Sequence, residues 1–184
     1  MPDFHQLDIA ALHALYGGNR SEVLTALVIA VTTLGGGWGM LGLLPLLARR
    51  RSRGVATAMT LVLLVTALIV LGLKGIVGRV RPCLSVPGIH ALWGAPTDCS
   101  FPSGHTTGSF AFAAYVATVM CAKRSYTAPA RALLIAAAFL FAVGVGLSRI
   151  YLGVHYPSDV LASAFLGATL GVVGARLTRR KAVA

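Results

Sequence analysis

Charge is scarce in this 184-residue chain, acidic charge above all: 11% of the residues are Asp, Glu, Lys or Arg, and only five of them are acidic. With 57% hydrophobic residues and a mean hydropathy of +0.80, the chain carries far more apolar surface than a soluble domain of this length can bury. That excludes an ordinary water-soluble fold. Cysteine is also rare, with Cys83, Cys99 and Cys121 the only three. Their spacing matches no zinc pattern, and outside the cytoplasm a disulfide across the loop from Pro82 to Pro102, between Cys83 and Cys99, is chemically allowed. The first 20 residues lack a basic start followed by an apolar core, so no cleaved signal peptide is expected. The 16 Lys and Arg give a net charge of +11, yet they are scattered over short loops without interleaved aromatics, which argues against a nucleic-acid partner.

What the chain has in abundance is apolar runs of spanning length, since roughly 20 helical residues cross ~30 Å of hydrocarbon. Val55 to Ile76 contains a single charge, Lys74, near its end. Thr106 to Ala122 and Ala132 to Leu147 contain none, and a fourth run extends from about Val160 to Leu177 with Gly167, Gly171 and Gly174 along it. Small residues at that spacing let helix backbones approach closely in lipid. A further span ends at Arg49 and starts near Gly36, or earlier if Val23 to Leu34 continues through Gly35-Gly36-Gly37 as a broken helix. Leu7 to Tyr16 sets Leu7, Leu12, Leu15 and Tyr16 among polar residues, as in a helix lying in the interface. The expected fold is all-α: one membrane-embedded domain over residues 1–184, a polytopic transmembrane bundle of five or six spans plus an N-terminal interfacial helix. Residues 1–35 form the interfacial or partly spanning segment and 36–184 the helical core.

Charge placement orients the bundle. Arg49, Arg50, Arg51 and Arg53 follow the first span, Lys123, Arg124 and Arg131 separate the third from the fourth, and Arg176, Arg179, Arg180 and Lys181 close the last. The positive-inside rule makes those ends cytoplasmic. Asp3, Asp8, Glu22, Asp98 and Asp159 then fall on the outer side or in the N-terminal segment assigned to it. Lys74, Arg79, Arg81 and Arg149 are the exceptions, cations on the outer face. Arg79 is expected to snorkel toward headgroups. Lys74 lies inside an apolar run, where an unpaired charge is expensive, and so should have an anionic partner. For Asp98 a loop or cap role is expected.

Three clusters share that outer face. Lys74 and Arg81 stand about two helical turns apart, so both can point along one face before Pro82 stops the helix. Pro102-Ser103-Gly104-His105 opens the next helix, where a serine cap and a glycine leave backbone N–H groups that suit phosphate oxygens. A plain cap explains Ser103 and a turn explains Gly104; His105 reads equally as a buried, hydrogen-bonded histidine or as part of a site. Ser148-Arg149 ends a later span, followed by His155 and, four residues on, Asp159 in the first turn of the last helix. That carboxylate suits the helix dipole and is also placed to orient the imidazole, leaving its other nitrogen unprotonated and nucleophilic.

Lys74 with Arg81-Pro82, Pro102-Ser103-Gly104-His105, and Ser148-Arg149 with His155 and Asp159 together resemble the three-part signature of the type 2 phosphatidic acid phosphatase superfamily, which also includes vanadium haloperoxidases. The resemblance runs from about Gly36 to the C-terminus; the short N-terminal third departs from the clear additional span of many membrane members. It implies that Lys74, Arg81 and Arg149 hold the phosphoryl oxygens, aided by backbone groups around Ser103 and Gly104. By the same resemblance His155 attacks phosphorus to form a phosphohistidine, Asp159 orients it, and His105 protonates the leaving oxygen and then activates water. No metal or other cofactor is implied. The expected partner is a lipid phosphate on the outer face of a bacterial plasma membrane, with undecaprenyl pyrophosphate favoured over phosphatidic acid, phosphatidylglycerol phosphate and a lipid A phosphate. A lipid phosphotransferase using the same histidine and a non-catalytic lipid-phosphate binding or transport protein are the alternatives, with haloperoxidase activity last. Oligomeric state is not written in the sequence.

Overall fold

A computed structural model describes residues 3–18, 21–36, 42, 47–94, 96–122 and 127–180. Among these the regular elements are helices: α1 (Phe4–Leu15), α2 (Glu22–Leu34), α3 (Arg50–Val77), the short α4 (Pro82–Ser85), α5 (Gly104–Ala122), α6 (Ala128–Tyr151) and α7 (Pro157–Arg180). By length and composition, three stretches can cross a membrane: Ser52–Ser85, Ala128–Tyr151 and Pro157–Thr178. Glu22–Leu34 is a shorter apolar helix. The Thr106 to Ala122 run does form a helix, but His105 and its hydroxyl side chains lower the hydropathy of α5 below that of these three. Most of the expected Gly36 to Arg49 span, and Lys123, Arg124 and Lys181 of the charge pattern, lie outside the described residues.

α5 is the central helix, packed most extensively on α7 and then on α6 and α3. Glycine makes the α5–α7 approach possible, as the spacing in the last span suggested. A Cβ on Gly167 would lie 2.2 Å from the Thr107 carbonyl oxygen, and one on Gly171 would lie 2.3 Å from that of Ala111. Gly174 packs instead on the Val62 side chain. Outward-facing positions are apolar: Leu68, Leu71, Leu140 and Phe165 are each at least two-thirds exposed, as a hydrocarbon solvent allows.

The buried apolar clusters sit toward opposite ends of the bundle. Met59, Tyr115 and Ala175 join α3, α5 and α7, while Leu12, Val86, Ile89, Ile150, Tyr156 and Val160 hold α1 against the ends of α6 and α7. α1 is therefore docked, with Leu12 and Asp8 buried beneath it and Phe4 and Leu7 exposed. The turns beside the second cluster aim the polar residues. α3 ends at Gly78 in the left-handed region (φ 63°), which returns its N–H to the Lys74 carbonyl and sends Arg79 and Arg81 back over the helix ends. Gly153, also left-handed (φ 73°), lies so close to the His90 carbonyl that any Cβ would clash, and it delivers His155 just before Pro157 starts α7.

Candidate active site

Each cluster reaches the site from a helix end. Lys74 comes from the last turn of α3 and Arg81 from just before α4, and both converge on the loop that precedes α5. Lys74 has the anionic partner that its position required: its ammonium lies 3.1 Å from Asp98 Oδ2 and donates to the Cys99 carbonyl. Arg81 donates Nη2–H to Asp98 Oδ1 at 2.6 Å, Nε–H to the Asp98 carbonyl at 2.9 Å and Nη1–H to the Val154 carbonyl at 2.7 Å. Asp98 is thus an ion-pair partner of two site cations, a stronger role than the loop or cap function expected of it. Burial pushes its carboxyl up, but hydrogen bonds from Arg81 and Lys74 more than reverse this and hold it below the usual carboxylate range. All three cysteines are free in this structure, without the Cys83–Cys99 disulfide that the sequence allows.

His155 is buried, 2% exposed, beside Arg81. Arg81 Nη1 lies 3.0 Å from His155 Nε2; a guanidinium only donates, so Nε2 must present its lone pair and the ring proton belongs on Nδ1. Burial foremost, with the Arg81 and Arg149 charges adding to it against Asp159, pushes the His155 pKa down to about 3. The imidazole is neutral near pH 7. On its other side Asp159 Oδ2 is 3.7 Å from Nδ1, longer than a hydrogen bond, and the Ser100 hydroxyl lies beside both. Ser100 Oγ donates to Asp159 Oδ2 at 2.5 Å and sits 3.5 Å from His155 Nδ1. Asp159 Oδ2 also accepts from the Tyr156 amide at 3.0 Å.

Arg149, at the end of α6, is 5% exposed. Its Nη1–H donates to the Thr32 hydroxyl of α2 at 2.7 Å, while its buried Nε has no hydrogen-bond partner among the described residues. No carboxylate there pairs with it. Lys74, Arg81 and Arg149 therefore face one carboxylate, Asp98, an excess of two positive charges that matches the ~2 negative charges of a phosphomonoester. Ser103 is fully buried, and its backbone N–H is committed to the Ser163 hydroxyl at 2.8 Å, so it is unavailable to a ligand. The expectation of backbone help there narrows to the first-turn amides of Gly104 and His105, which have no intrahelical acceptor. Ser103 Oγ accepts from Thr106 Oγ1 at 2.9 Å and retains its own proton to donate. His105 lies with Lys74 and Asp98 at the wall of a cavity of about 410 Å³ whose remaining lining is mostly apolar, Leu63, Val70, Phe112 and Phe141 among it, with the hydroxyls of Thr66 and Ser109 the exceptions.

Arg79 does not snorkel. Its guanidinium bridges Asp159 at 2.5 Å and Asp8 at 2.7 Å and lies 3.9 Å above the Tyr156 ring, because two buried carboxylates attract it more strongly than headgroups. Asp8, Thr32, Ser100 and Arg79 were not expected at the site. The only signals available for them were a polar side chain inside an apolar run for Thr32 and nearness to a motif for Ser100 and Arg79.

A neutral, buried histidine beside an excess of cations, in a helical membrane protein, suits an enzyme that handles an anionic substrate. Comparison with known proteins is specific: the family model of the PAP2 superfamily matches residues 55–182, and the chain belongs to that superfamily of phosphatases. It is 36% identical over 140 residues to decaprenylphosphoryl-5-phosphoribose phosphatase of Mycobacterium tuberculosis, covering 74% of this chain and 69% of the relative. It is 29% identical over 171 residues to undecaprenyl-diphosphatase of Sulfolobus acidocaldarius, covering 90% and 76%. Among solved structures, the transmembrane PAP2 type phosphatidylglycerolphosphate phosphatase from Bacillus subtilis superposes with a TM-score of 0.80 at 26% identity, covering 96% of this chain and 86% of that one.

Proposed function

We propose that the protein hydrolyses a polyprenyl-linked phosphate or pyrophosphate, undecaprenyl pyrophosphate in the first place, on the extracytoplasmic face of a bacterial plasma membrane and through a phosphohistidine. The observation that carries this reading is the buried guanidinium of Arg149, whose Nε has no hydrogen-bond partner among the described residues, gathered with Lys74 and Arg81 around His105, which stands at the wall of the cavity. The cavity accepts the lipid next to its headgroup, and the cations accept the phosphoryl oxygens. Two of the relatives above are named for polyprenyl substrates, which supports a polyprenyl chain ahead of a diacyl lipid.

In this reaction Arg81 transfers its Nη1–H from His155 Nε2 to a phosphoryl oxygen, which frees the lone pair. Nε2 attacks phosphorus in line as the bond to the leaving oxygen breaks, and His105 gives that oxygen a proton. Burial and the three cations hold the His105 pKa down to about 4 until the bound phosphate offsets their charge and lets the ring take up that proton. Asp159 balances the charge that develops on the His155 ring. His105 then takes a proton from water, whose oxygen attacks phosphorus and breaks the N–P bond to release phosphate.

The test is release of inorganic phosphate from undecaprenyl pyrophosphate, phosphatidic acid and phosphatidylglycerol phosphate by purified protein in detergent containing EDTA. Release that is abolished in His155→Ala supports the proposal. A folded wild-type protein inert toward the whole panel, or a His155→Ala variant that keeps its activity, overturns it.

A further inference from the structure

We infer that Asp8 of α1 and Arg79 form a positioning pair that holds the Asp159 carboxylate against His155, making the N-terminal helix a working part of the site. The inference rests on the proposal above that Asp159 balances the charge developing on the His155 ring. Arg79 uses both ends of its fork. Nη1 donates to Asp159 Oδ1 at 2.5 Å and to Ser158 Oγ at 2.8 Å, while Nη2 donates to Asp8 Oδ2 at 2.7 Å. The second oxygen of Asp8 accepts the Ser158 backbone N–H at 2.9 Å, so a residue of α1 caps the first turn of α7, the turn that carries Asp159. The side chains of Asp8 and Asp159 are 3% and 0% exposed.

Anchoring α1 does not require this network. Leu12 already docks the helix by apolar burial, and buried charges are a costly way to add adhesion. The network instead constrains Asp159. Its Oδ2 receives Ser100 and the Tyr156 amide and faces His155, while its Oδ1 is held by Arg79, so the plane of the carboxylate cannot turn. Charge points the same way. One arginine shared between two carboxylates leaves a net negative charge beside the imidazole, which Arg79 alone would neutralise. That charge is needed when His155 becomes cationic on phosphorylation. The polar partners of Asp8 and Arg79 are each other, Ser158 and Asp159, so both are placed to act through Asp159 rather than on the substrate.

The experiment compares Asp8→Asn, Arg79→Lys and Arg79→Gln in the full-length chain in detergent, with undecaprenyl pyrophosphate as the probe. Expected are losses in kcat of about tenfold for Asp8→Asn and about 100-fold for Arg79→Gln, Arg79→Lys falling between, each with KM within about twofold of wild type. Histidine ¹⁵N spectra of the same proteins should show the His155 ring moving away from the Nδ1–H tautomer, a signal that loss of packing alone does not produce. If Arg79→Gln does not fold, Asp8→Asn and Arg79→Lys carry the test. Lower melting temperatures with unchanged kcat and unchanged ring signals overturn the inference, as does a rise in KM at constant kcat. Should wild type release no phosphate, the catalytic reading fails, whereas the ring signals still decide whether Asp8 and Arg79 position His155.

Discussion

Asp98 pairs with Lys74 and Arg81 at 3.1 and 2.6 Å, and so competes with the phosphate that these cations are proposed to bind. Its side chain is 55% exposed, so solvent weakens its hold and lets it swing aside. Removing the competing charge in Asp98→Asn should tighten product inhibition by phosphate by roughly three- to tenfold, the scale of a solvent-weakened charged hydrogen bond. An unchanged inhibition constant would show that displacing Asp98 costs nothing. His155 governs a second measurable property. Its folded pKa of about 3 lies below the ~6.5 of an exposed histidine, so between those values the unfolded chain takes up a proton that the folded one refuses. Stability is therefore complete above about pH 6.5 and declines as pH falls toward 3. Asp98, depressed below the usual carboxylate range, adds to the loss at the acid end of that window. Melting temperature in detergent should fall on acidification, and His155→Asn should fall less between pH 6.5 and 4; parallel curves would remove His155 as a cause.

Among the elements, the α5–α7 contact couples the two histidine-bearing clusters, since α5 opens with His105 and α7 carries Asp159 in its first turn. The glycine spacing of the last span was legible as a possible close approach, but its partner helix was not. Gly167→Ala and Gly171→Ala each place a Cβ against a backbone carbonyl at 2.2 or 2.3 Å, a clash that no side-chain rotation relieves. Each is expected to destabilise the protein by ~1–3 kcal/mol. Gly72→Ala, where a new Cβ meets nothing within 4 Å, provides the control and should leave the melting temperature unchanged or raise it. Equal melting temperatures for all three variants would mean that the helices separate without cost. α1 is the element whose role changed most. Its apolar residues suited an interfacial helix, and Phe4 and Leu7 do remain exposed, yet Asp8 and Leu12 are buried against α7 and the loops around it.

For the whole molecule, the alternating basic ends and the positive-inside rule support the proposal that Lys74, Arg81, His105, Arg149 and His155 share the outer face. In a variant with its native cysteines replaced, a cysteine introduced beside Arg51 should react with impermeant reagents only from the cytoplasmic side. Labelling from outside would invert the topology and require a cytoplasmic substrate. The sequence by itself determined the membrane setting, the helical class and the three motifs, because each depends on residues within one span or one helix turn. Composition fixes how much apolar surface must meet lipid, and neighbours such as His155 and Asp159 are brought together by the short turn that leads into α7. Tertiary structure alone decided which groups complete the site. Arg79 meets Asp159 across 80 residues, Thr32 meets Arg149 across 117, and Asp8 meets Ser158 across 150. No periodicity or spacing encodes pairings at those separations. They arise where helix packing buries a charge or a hydroxyl and leaves it no water to bind, so that the group facing it becomes its partner.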